Sequence, residues 1–298
     1  MSLRVPAPGP HGGDGARLAT ALGVDPAAVL DLSASLNPLA PDVSEIVGKH
    51  LDAVRRYPDH RGATDALAAA IGVEPARLVL TNGGSEAIAL VAAACGGTVE
   101  EPDFSLYPRA GGPRWRSNPH NPSGRLAADT EQAGVWDEAF YPLATGRWTR
   151  GDANRGAIVV GSLTKLFACP GLRVGYVLAP DTDTARRIAE RQPAWSVNGF
   201  AADVLPDLLD LATLPEWSAI IATWRRALED VLNEHGMDPE PSDANYLIVS
   251  APGLRQRVAR HGVLVRDCAT FGLPDHVRIA VPDPDGLTRL AAALEDER

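Results

Sequence analysis

Lysine is rare in this chain of 298 residues, which contains only Lys49 and Lys165. Lys165 closes a four-residue segment that begins at Ser162, directly after an apolar run at residues 157–160. A lysine just past a buried strand can form a Schiff base if its amine is desolvated and lies near other cations, because both conditions lower its pKa. Arg173 is a candidate for such a cation. An anion bound by Arg173 could also accept a hydrogen bond from the Ser162 hydroxyl. Taken alone, the segment also fits a solvated loop lysine.

A glycine turn between a predicted strand and a predicted helix is the second candidate feature. The apolar residues 78–81 predict a buried strand, Asn82, Gly83 and Gly84 interrupt it, and residues 85–95 predict a helix with Ser85 at or near its cap. The free backbone N–H groups at such a helix N-terminus can bind an anion. The same pattern also fits an ordinary turn between a strand and a helix.

Two polar positions in the middle of the chain complete the candidate chemistry. Asn121 lies in a segment rich in proline and asparagine, residues 117–124, and Asp137 follows the strand-like pair Val135 and Trp136. An asparagine turn and an exposed helix cap are the alternatives for these two positions.

The elements that must position these residues alternate between strands and helices. Besides those above, the pattern predicts strands at 172–178, with Arg173 inside, and at 245–249, 263–265 and 276–281; helices are predicted at 64–71, 183–191, 201–212, 216–235, 253–260 and from residue 284. This alternation predicts an α/β fold whose parallel sheet binds ligand at the carboxyl ends of its strands. The first forty residues hold little periodic structure and are expected to pack as an arm on a larger body.

Composition excludes several classes of protein. With 45% apolar and 22% charged residues the chain is of ordinary globular type, and its net charge of −10 disfavours nucleic acid or an anionic membrane as partner. No apolar run approaches about 18 residues, and residues 1–10 lack the apolar stretch of a secretory signal. Cys95, Cys169 and Cys268 have the spacing of neither a disulfide framework nor a metal site, so we expect a reduced cytoplasmic protein without metal.

Taken in order, these motifs resemble the fold-type I pyridoxal-phosphate enzymes, the class I/II aminotransferase superfamily. The most specific part is Ser162-x-x-Lys165 followed by Pro-Gly-Leu-Arg-Val-Gly-Tyr at 170–176. The resemblance implies pyridoxal 5′-phosphate as cofactor and an α/β fold of the type I transferases. Residues 41–192 are then expected to form a large cofactor-binding domain around a mostly parallel sheet. Residues 1–40 together with 193–298 would form the arm and a small α/β domain.

The resemblance also assigns roles to individual residues. Lys165 would carry the Schiff base, and Asp137 would lie opposite the pyridine nitrogen. Phe104 would stack on the cofactor ring, Asn121 would bond to its phenolic oxygen, and Tyr57 would reach the phosphate of a neighbouring subunit, which implies a homodimer. The expected ligands of the cofactor phosphate are Gly84, Ser85, Ser162 and Arg173. The expected substrate-binding residues are His11, Gly12, Asn37, Asn121, Arg266 and Arg278.

Two groups within the superfamily resemble the chain most. Histidinol-phosphate aminotransferases share the Arg-Tyr-Pro-Asp segment at 56–59, whereas threonine-phosphate decarboxylases of cobalamin biosynthesis are closer at 11–13, 37–39, 168–173, 195–198 and 266–268. Phe140 is also typical of the decarboxylases, because most aminotransferases have tyrosine there. We therefore expect a decarboxylase (lyase) acting on a small phosphorylated amino acid, which would displace Lys165 from the cofactor and lose CO₂. An aminotransferase of the histidinol-phosphate type is the alternative.

Two segments are short for this superfamily. Phe104 and Asn118 are only fourteen positions apart, and Gly124 and Asp137 only thirteen, so each stretch has too few residues for the helices and strands expected there. Part of the sheet of the large domain is therefore expected to be missing. These shortenings keep a third hypothesis open, a protein that binds pyridoxal phosphate with little or no catalysis.

Overall fold

The computed structural model describes residues 5–295. The α-helices of this range are α1 (Gly15–Leu22), α2 (Val43–Lys49), α3 (Arg61–Ile71), α4 (Gly83–Cys95), α5 (Tyr141–Thr145), α6 (Leu163–Leu166), α7 (Thr182–Ala189), α8 (Gly199–Asp210), α9 (Leu214–Glu234), α10 (Leu254–Ala259) and α11 (Pro284–Glu295). The strands are β1 (Leu30–Asp31), β2 (Leu78–Asn82), β3 (Trp115–Ser117), β4 (Val135–Asp137), β5 (Ile158–Ser162), β6 (Val174–Leu178), β7 (Tyr246–Ser250), β8 (Val263–Leu264), β9 (Arg266–Asp267) and β10 (His276–Ala280).

The largest sheet has five strands in the order β2-β6-β5-β4-β3. Strand β6 runs antiparallel to both of its neighbours, while β5, β4 and β3 pair in parallel, so four of the five strands share one direction. The expected mostly parallel α/β sheet is confirmed. Asp137 is in register with Ser117 on one side and Val160 on the other, which places the carboxyl ends of β3, β4 and β5 side by side.

Helices cover both faces of this sheet, which explains the uninterrupted apolar runs in its central strands. Val159 and Leu178 point into a core shared with α3 and α8, represented by Leu67 and Leu205. Their neighbours in sequence, Val160 and Val177, point into a second core beneath α4 and α7. Because adjacent residues of a strand face opposite sides, the residues at 159 and 160 and at 177 and 178 all have to be apolar.

A second sheet, antiparallel and ordered β7-β10-β9, is formed by the C-terminal part of the chain. It has its own core, in which Val249 and Ile279 pack with residues of α9 and α11 such as Leu228 and Leu290. Strands β1 and β8 pair in parallel beside it. The division of the chain into domains at residues 41–192 and the remainder stays a prediction.

The N-terminal arm has more regular structure than its composition predicts. Helix α1 buries Leu18 against Ala259 and Leu264 and ends at Gly23, whose φ of +69° terminates it in a left-handed cap. The expectation of little structure in the first forty residues was wrong, because an eight-residue helix needs only one apolar face when it packs against a formed core.

The boundaries of two elements differ from those that the sequence predicts. Helix α4 begins at Gly83 rather than Ser85, and Arg173 precedes β6 rather than lying inside the strand, with a φ of +57°. In the two short segments, residues 105–114 and 125–134 contain no helix, and β3 has only three residues. These direct connections are what the spacing predicted.

Candidate active site

A cavity of about 650 Å³ opens where the carboxyl ends of β4 and β5 face the N-terminal arm and the second sheet. All but two of the residues predicted for the site line it. Those that do are His11, Gly12, Gly84, Ser85, Phe104, Asn121, Asp137, Ser162, Lys165, Arg173, Arg266 and Arg278. The fold therefore brings together residues from the arm, the large sheet and the second sheet.

The two other predicted residues, Asn37 and Tyr57, do not line the cavity. Asn37 is buried behind the lysine: its backbone N–H donates to the Lys165 carbonyl at 3.0 Å and its side chain donates to the Leu166 carbonyl at 2.9 Å. These two bonds support the position of the lysine, and a contact of Asn37 with substrate stays a prediction. Tyr57 is 76% exposed and stacks against exposed Trp195, with ring centroids 4.6 Å apart.

Lys165 lies on the short helix α6, which begins immediately after β5. Burial lowers the pKa of its amine, the nearby charges of Arg278 and Arg173 lower it further, and Asp31 opposes them; the result is a pKa of about 8. A substantial fraction of the amine is therefore neutral near physiological pH, and a neutral amine can act as a nucleophile or accept a proton.

The start of α4 forms a cradle for an anion. Gly83 adopts a φ of +75°, and a Cβ there would lie 2.5 Å from Nη2 of Arg173; a Cβ on Gly84 would lie 3.1 Å from Cβ of Ser162. Glycine at both positions lets the Arg173 guanidinium and the Ser162 side chain approach the helix N-terminus. The free N–H groups of this turn, a hydroxyl and a guanidinium meet there, as binding of a phosphate requires.

Asp137 ends β4 and receives two hydrogen bonds. The backbone N–H of Ala139 donates to Oδ1 at 2.9 Å, and the Tyr107 hydroxyl donates to Oδ2 at 2.7 Å. Burial raises the pKa of Asp137 to about 6 although both hydrogen bonds lower it, and the charge of Asp103 raises it further. The carboxylate is therefore mostly ionised at neutral pH and can pair with a cation placed in the cavity.

Arg266 and Arg278 stand directly opposite each other on β9 and β10. The Arg278 guanidinium donates to Oδ1 of Asn121 at 2.5 Å and lies 4.5 Å from the ring centroid of Tyr246, while its Nε is buried without a partner. The Arg266 guanidinium donates to carbonyl groups of the arm at Gly9 and Pro10. Both side chains are almost fully buried, and both line the cavity.

His11 closes the cavity from the arm. Its ring packs on Phe104 with the centroids 5.7 Å apart. Burial lowers the pKa of His11, and the positive charges of Arg266 and Lys165 lower it further, so the imidazole is neutral at pH 7. Gly12 is required because a Cβ would lie 2.1 Å from the Ser33 carbonyl oxygen.

Sequence reasoning missed two residues of this site. Tyr107 donates to Asp137 from a loop without helical or strand periodicity, and its only signal was a position three residues after Phe104. Asp31 faces the cavity from β1, where Oδ1 and Oδ2 accept hydrogen bonds from Ser33 and Gly15. Neither residue belongs to a motif that could be recognised without the contacts.

Comparison with known proteins identifies the class. The profile of the family "Aminotransferase class I and II" matches residues 116–294, so the chain belongs to this family. It is an enzyme that depends on pyridoxal phosphate. The resemblance on which the sequence-based expectations depended is confirmed.

Individual relatives of two kinds are similar to the chain along most of its length. The chain is 29% identical to a threonine-phosphate decarboxylase from Salmonella typhimurium, with 96% of both chains covered. It is 28% identical to histidinol-phosphate aminotransferase 2 from Methylococcus capsulatus, with 90% of both covered. The crystal structure of the histidinol-phosphate aminotransferase from Clostridium acetobutylicum superposes with a TM-score of 0.79 at 21% identity, covering 90% of this chain and 99% of that one. The decarboxylase alignment spans 358 positions, so that relative has segments which this shorter chain lacks.

The residues present fit pyridoxal phosphate. The glycine cradle at Gly83 and Gly84 leaves room for a phosphate beside Arg173, and Asp137 supplies a carboxylate for a pyridinium N–H. Lys165 supplies an amine with a lowered pKa for the aldehyde. Within residues 5–295, histidine, cysteine, aspartate and glutamate side chains form no cluster suited to a metal ion. None of the helices in this range combines the length and the hydropathy that a membrane-spanning helix needs.

Proposed function

We propose that the chain decarboxylates a phosphorylated amino acid such as O-phosphothreonine. The pair Arg266 and Arg278 carries this proposal: the two are opposite on adjacent strands, only 5% and 6% exposed, and both face the cavity that contains Lys165. Like charges directly opposite in a sheet destabilise it. A phosphate and a carboxylate from the substrate would compensate these charges, and guanidinium groups bind both with paired hydrogen bonds.

The cofactor, when bound, supplies an electron sink for the electron pair that is left on the substrate α-carbon. The start of α4 with Ser162 and Arg173 would hold its phosphate, and Asp137 would hold its pyridine nitrogen. Phe104 would flank the ring, and the free amide N–H group of Asn121, whose Oδ1 is engaged by Arg278, would face the phenolic oxygen.

The reaction outcome depends on which bond the arginines present for cleavage. If Arg266 and Arg278 hold the carboxylate perpendicular to the cofactor ring, the bond to the carboxyl carbon breaks, CO₂ leaves, and its bonding pair stays on the α-carbon. Lys165, once its amine has taken up a proton from solvent, can then donate that proton to the α-carbon and become neutral again, or a water molecule can donate it directly. Phe140 supports this outcome, because it packs against Tyr246 where an aminotransferase would place a tyrosine hydroxyl.

Amino-group transfer of the histidinol-phosphate type is the second candidate. Its support is the 28% identity to histidinol-phosphate aminotransferases, almost as high as that to the decarboxylase. The same residues would serve, with the Cα–H bond held perpendicular and Lys165 moving that proton. Binding of the cofactor with little or no turnover is the third hypothesis, based on the shortened segments around Phe104 and Asp137.

The test begins with an absorbance scan of the purified protein with added pyridoxal phosphate, compared with the variant Lys165→Ala. A band of the lysine-linked cofactor that is lost in the variant establishes the linkage. The loaded protein is then given O-phosphothreonine and assayed for CO₂, and given histidinol phosphate with 2-oxoglutarate and assayed for glutamate. Glutamate without CO₂ would replace the first proposal by the second. A cofactor band without either product would support the third hypothesis, a protein that binds the cofactor with little or no turnover.

We further propose that the chain works as a cytoplasmic homodimer. Tyr57 and Trp195 form an exposed aromatic pair, and Leu51 and Val54 beside Tyr57 in the chain are 61% and 71% exposed. Such a patch is typical of a protein interface, and the resemblance implies that Tyr57 would reach the partner's cofactor phosphate. Analytical ultracentrifugation of the wild type and of Val54→Asp tests the proposed dimer, and a wild-type monomer would contradict it.

The unpaired cysteines at 95, 169 and 268 support the cytoplasmic location, because they fit a reducing compartment.

A further inference from the structure

The sheet fixes the position of the Asp137 backbone, but it does not by itself fix the orientation of the side chain. Strand β4 lies between β3 and β5, with Asp137 in register with Ser117 and Val160. This pairing sets the direction in which the side chain leaves the strand. The orientation of the carboxylate plane depends instead on the donors around it.

Two donors determine that orientation. The Ala139 N–H occupies Oδ1 at 2.9 Å, and the Tyr107 hydroxyl occupies Oδ2 at 2.7 Å, a short bond of the type formed with a carboxylate. A carboxylate oxygen can accept more than one hydrogen bond. Asp137 therefore keeps acceptor capacity for a donor in the cavity after both bonds have formed.

Tyr107 is itself held rigidly. It is 3% exposed, its ring packs edge-on against Phe104 with centroids 5.6 Å apart, and it packs against Trp115 on another side at 5.4 Å. The indole N–H of Trp115 is anchored on the Gly96 carbonyl at 2.9 Å. The hydroxyl thus has a fixed position toward Asp137, and its segment also supplies Phe104, which is expected to face the cofactor ring.

A neutral donor has a particular advantage at this place. An arginine or lysine would neutralise the carboxylate, whereas a hydroxyl stabilises the ionised form and leaves its negative charge available. The surroundings make that help necessary, because burial raises the pKa of Asp137 and the buried carboxyl of Asp103 raises it further. Two further ionisable side chains near Asp137, Tyr176 and Tyr246, are buried phenols whose own pKa values are raised by burial, so they are uncharged at neutral pH.

We propose that Tyr107 is a positioning residue that holds the Asp137 carboxylate, ionised and correctly oriented, for the pyridinium N–H of the cofactor. This role concerns cofactor binding and is independent of whether the reaction is decarboxylation or transamination. The substitution that isolates it is Tyr107→Phe, which removes the hydroxyl and keeps the ring between Phe104 and Trp115. The matched control is Tyr141→Phe, because Tyr141 is also a buried tyrosine but does not line the cavity.

The first measurement uses the cofactor-free protein. Carbon NMR of carboxyl-labelled aspartate follows the titration of Asp137, assigned by the signal that Asp137→Asn removes. Loss of one hydrogen bond to the ionised form should raise the pKa of Asp137 by about one unit in Tyr107→Phe. Tyr141→Phe should leave it unchanged. An unchanged pKa in Tyr107→Phe would overturn the proposal.

The second measurement compares two ligands by equilibrium binding. Pyridoxal phosphate and its 1-deaza analogue, which has carbon in place of the pyridine nitrogen, differ only in the group that Asp137 would contact. Tyr107→Phe should weaken binding of pyridoxal phosphate by about tenfold, the factor that a hydrogen bond to a charged group supplies, and should leave binding of the analogue unchanged. Equal weakening of both ligands would mean that Tyr107 only supports the fold and would overturn the proposal, as would no weakening of either.

Discussion

The pKa of Lys165 determines how much of its amine is available at neutral pH. Burial, followed by the charges of Arg278 and Arg173, lowers this pKa from 10.5 to about 8, and Asp31 opposes the change. A shift of this size corresponds to about 3 kcal/mol of unfavourable free energy for the charged form. At pH 7 about one tenth of the amine is then neutral, against about three parts in ten thousand for a lysine with the ordinary value.

The composition of the chain makes this pKa measurable, because Lys49 is the only other lysine. In the variant Lys49→Arg, the rate at which acetic anhydride acetylates Lys165 in the cofactor-free protein, followed by peptide mass spectrometry across pH, reports its neutral fraction. We expect a midpoint near 8. Adding Arg278→Gln should raise the midpoint and adding Asp31→Asn should lower it, since these charges act with opposite sign.

A midpoint at 10 or above in Lys49→Arg would refute the assignment of a desolvated amine. Failure of the two charge variants to move the midpoint in opposite directions would refute the electrostatic part, provided that circular dichroism shows both variants folded.

The lowered pKa of Lys165 also affects the stability of the fold. Because the unfolded lysine binds its proton more tightly than the folded one, the charged form opposes folding below pH 8. Lys165→Met should therefore stabilise the cofactor-free protein at pH 7 by about 1–3 kcal/mol.

Three further results are expected. Gly83→Ala should displace Arg173 and weaken cofactor binding by about tenfold in a spectroscopic titration, whereas the control Gly72→Ala, with a φ of +79° and no close neighbour, should lose stability only; equal affinities would contradict the cradle. Burial raises the pKa of Glu138 to about 7, so the free energy of unfolding should fall as pH rises from about 4.5 to 7. Denaturant unfolding of Glu138→Gln should show a smaller fall over this range. An equal fall in the variant would mean that Glu138 does not cause the pH dependence. Inorganic phosphate should raise the Tm of the cofactor-loaded wild type more than that of Arg266→Gln; equal shifts would place the anion elsewhere.

The sequence by itself determined the parts of the site that follow strand ends. Lys165 after β5, Asp137 at the end of β4 and the glycines that begin α4 all lie in short segments whose local pattern is enough to place them. A buried strand followed by a break fixes which residue emerges at the sheet edge, whatever the rest of the chain does. The family was therefore recognisable without any contact being known.

Only the tertiary structure decided how distant segments meet. The contact between Tyr107 and Asp137 joins residues thirty positions apart, one of them in a loop without periodicity, and the facing of Arg266 and Arg278 depends on the antiparallel register of β9 and β10. Asn37 turned out to brace the lysine from behind. Local propensity acts over a few residues, whereas these contacts depend on how the formed sheets and the arm pack together, so no sequence window contains them.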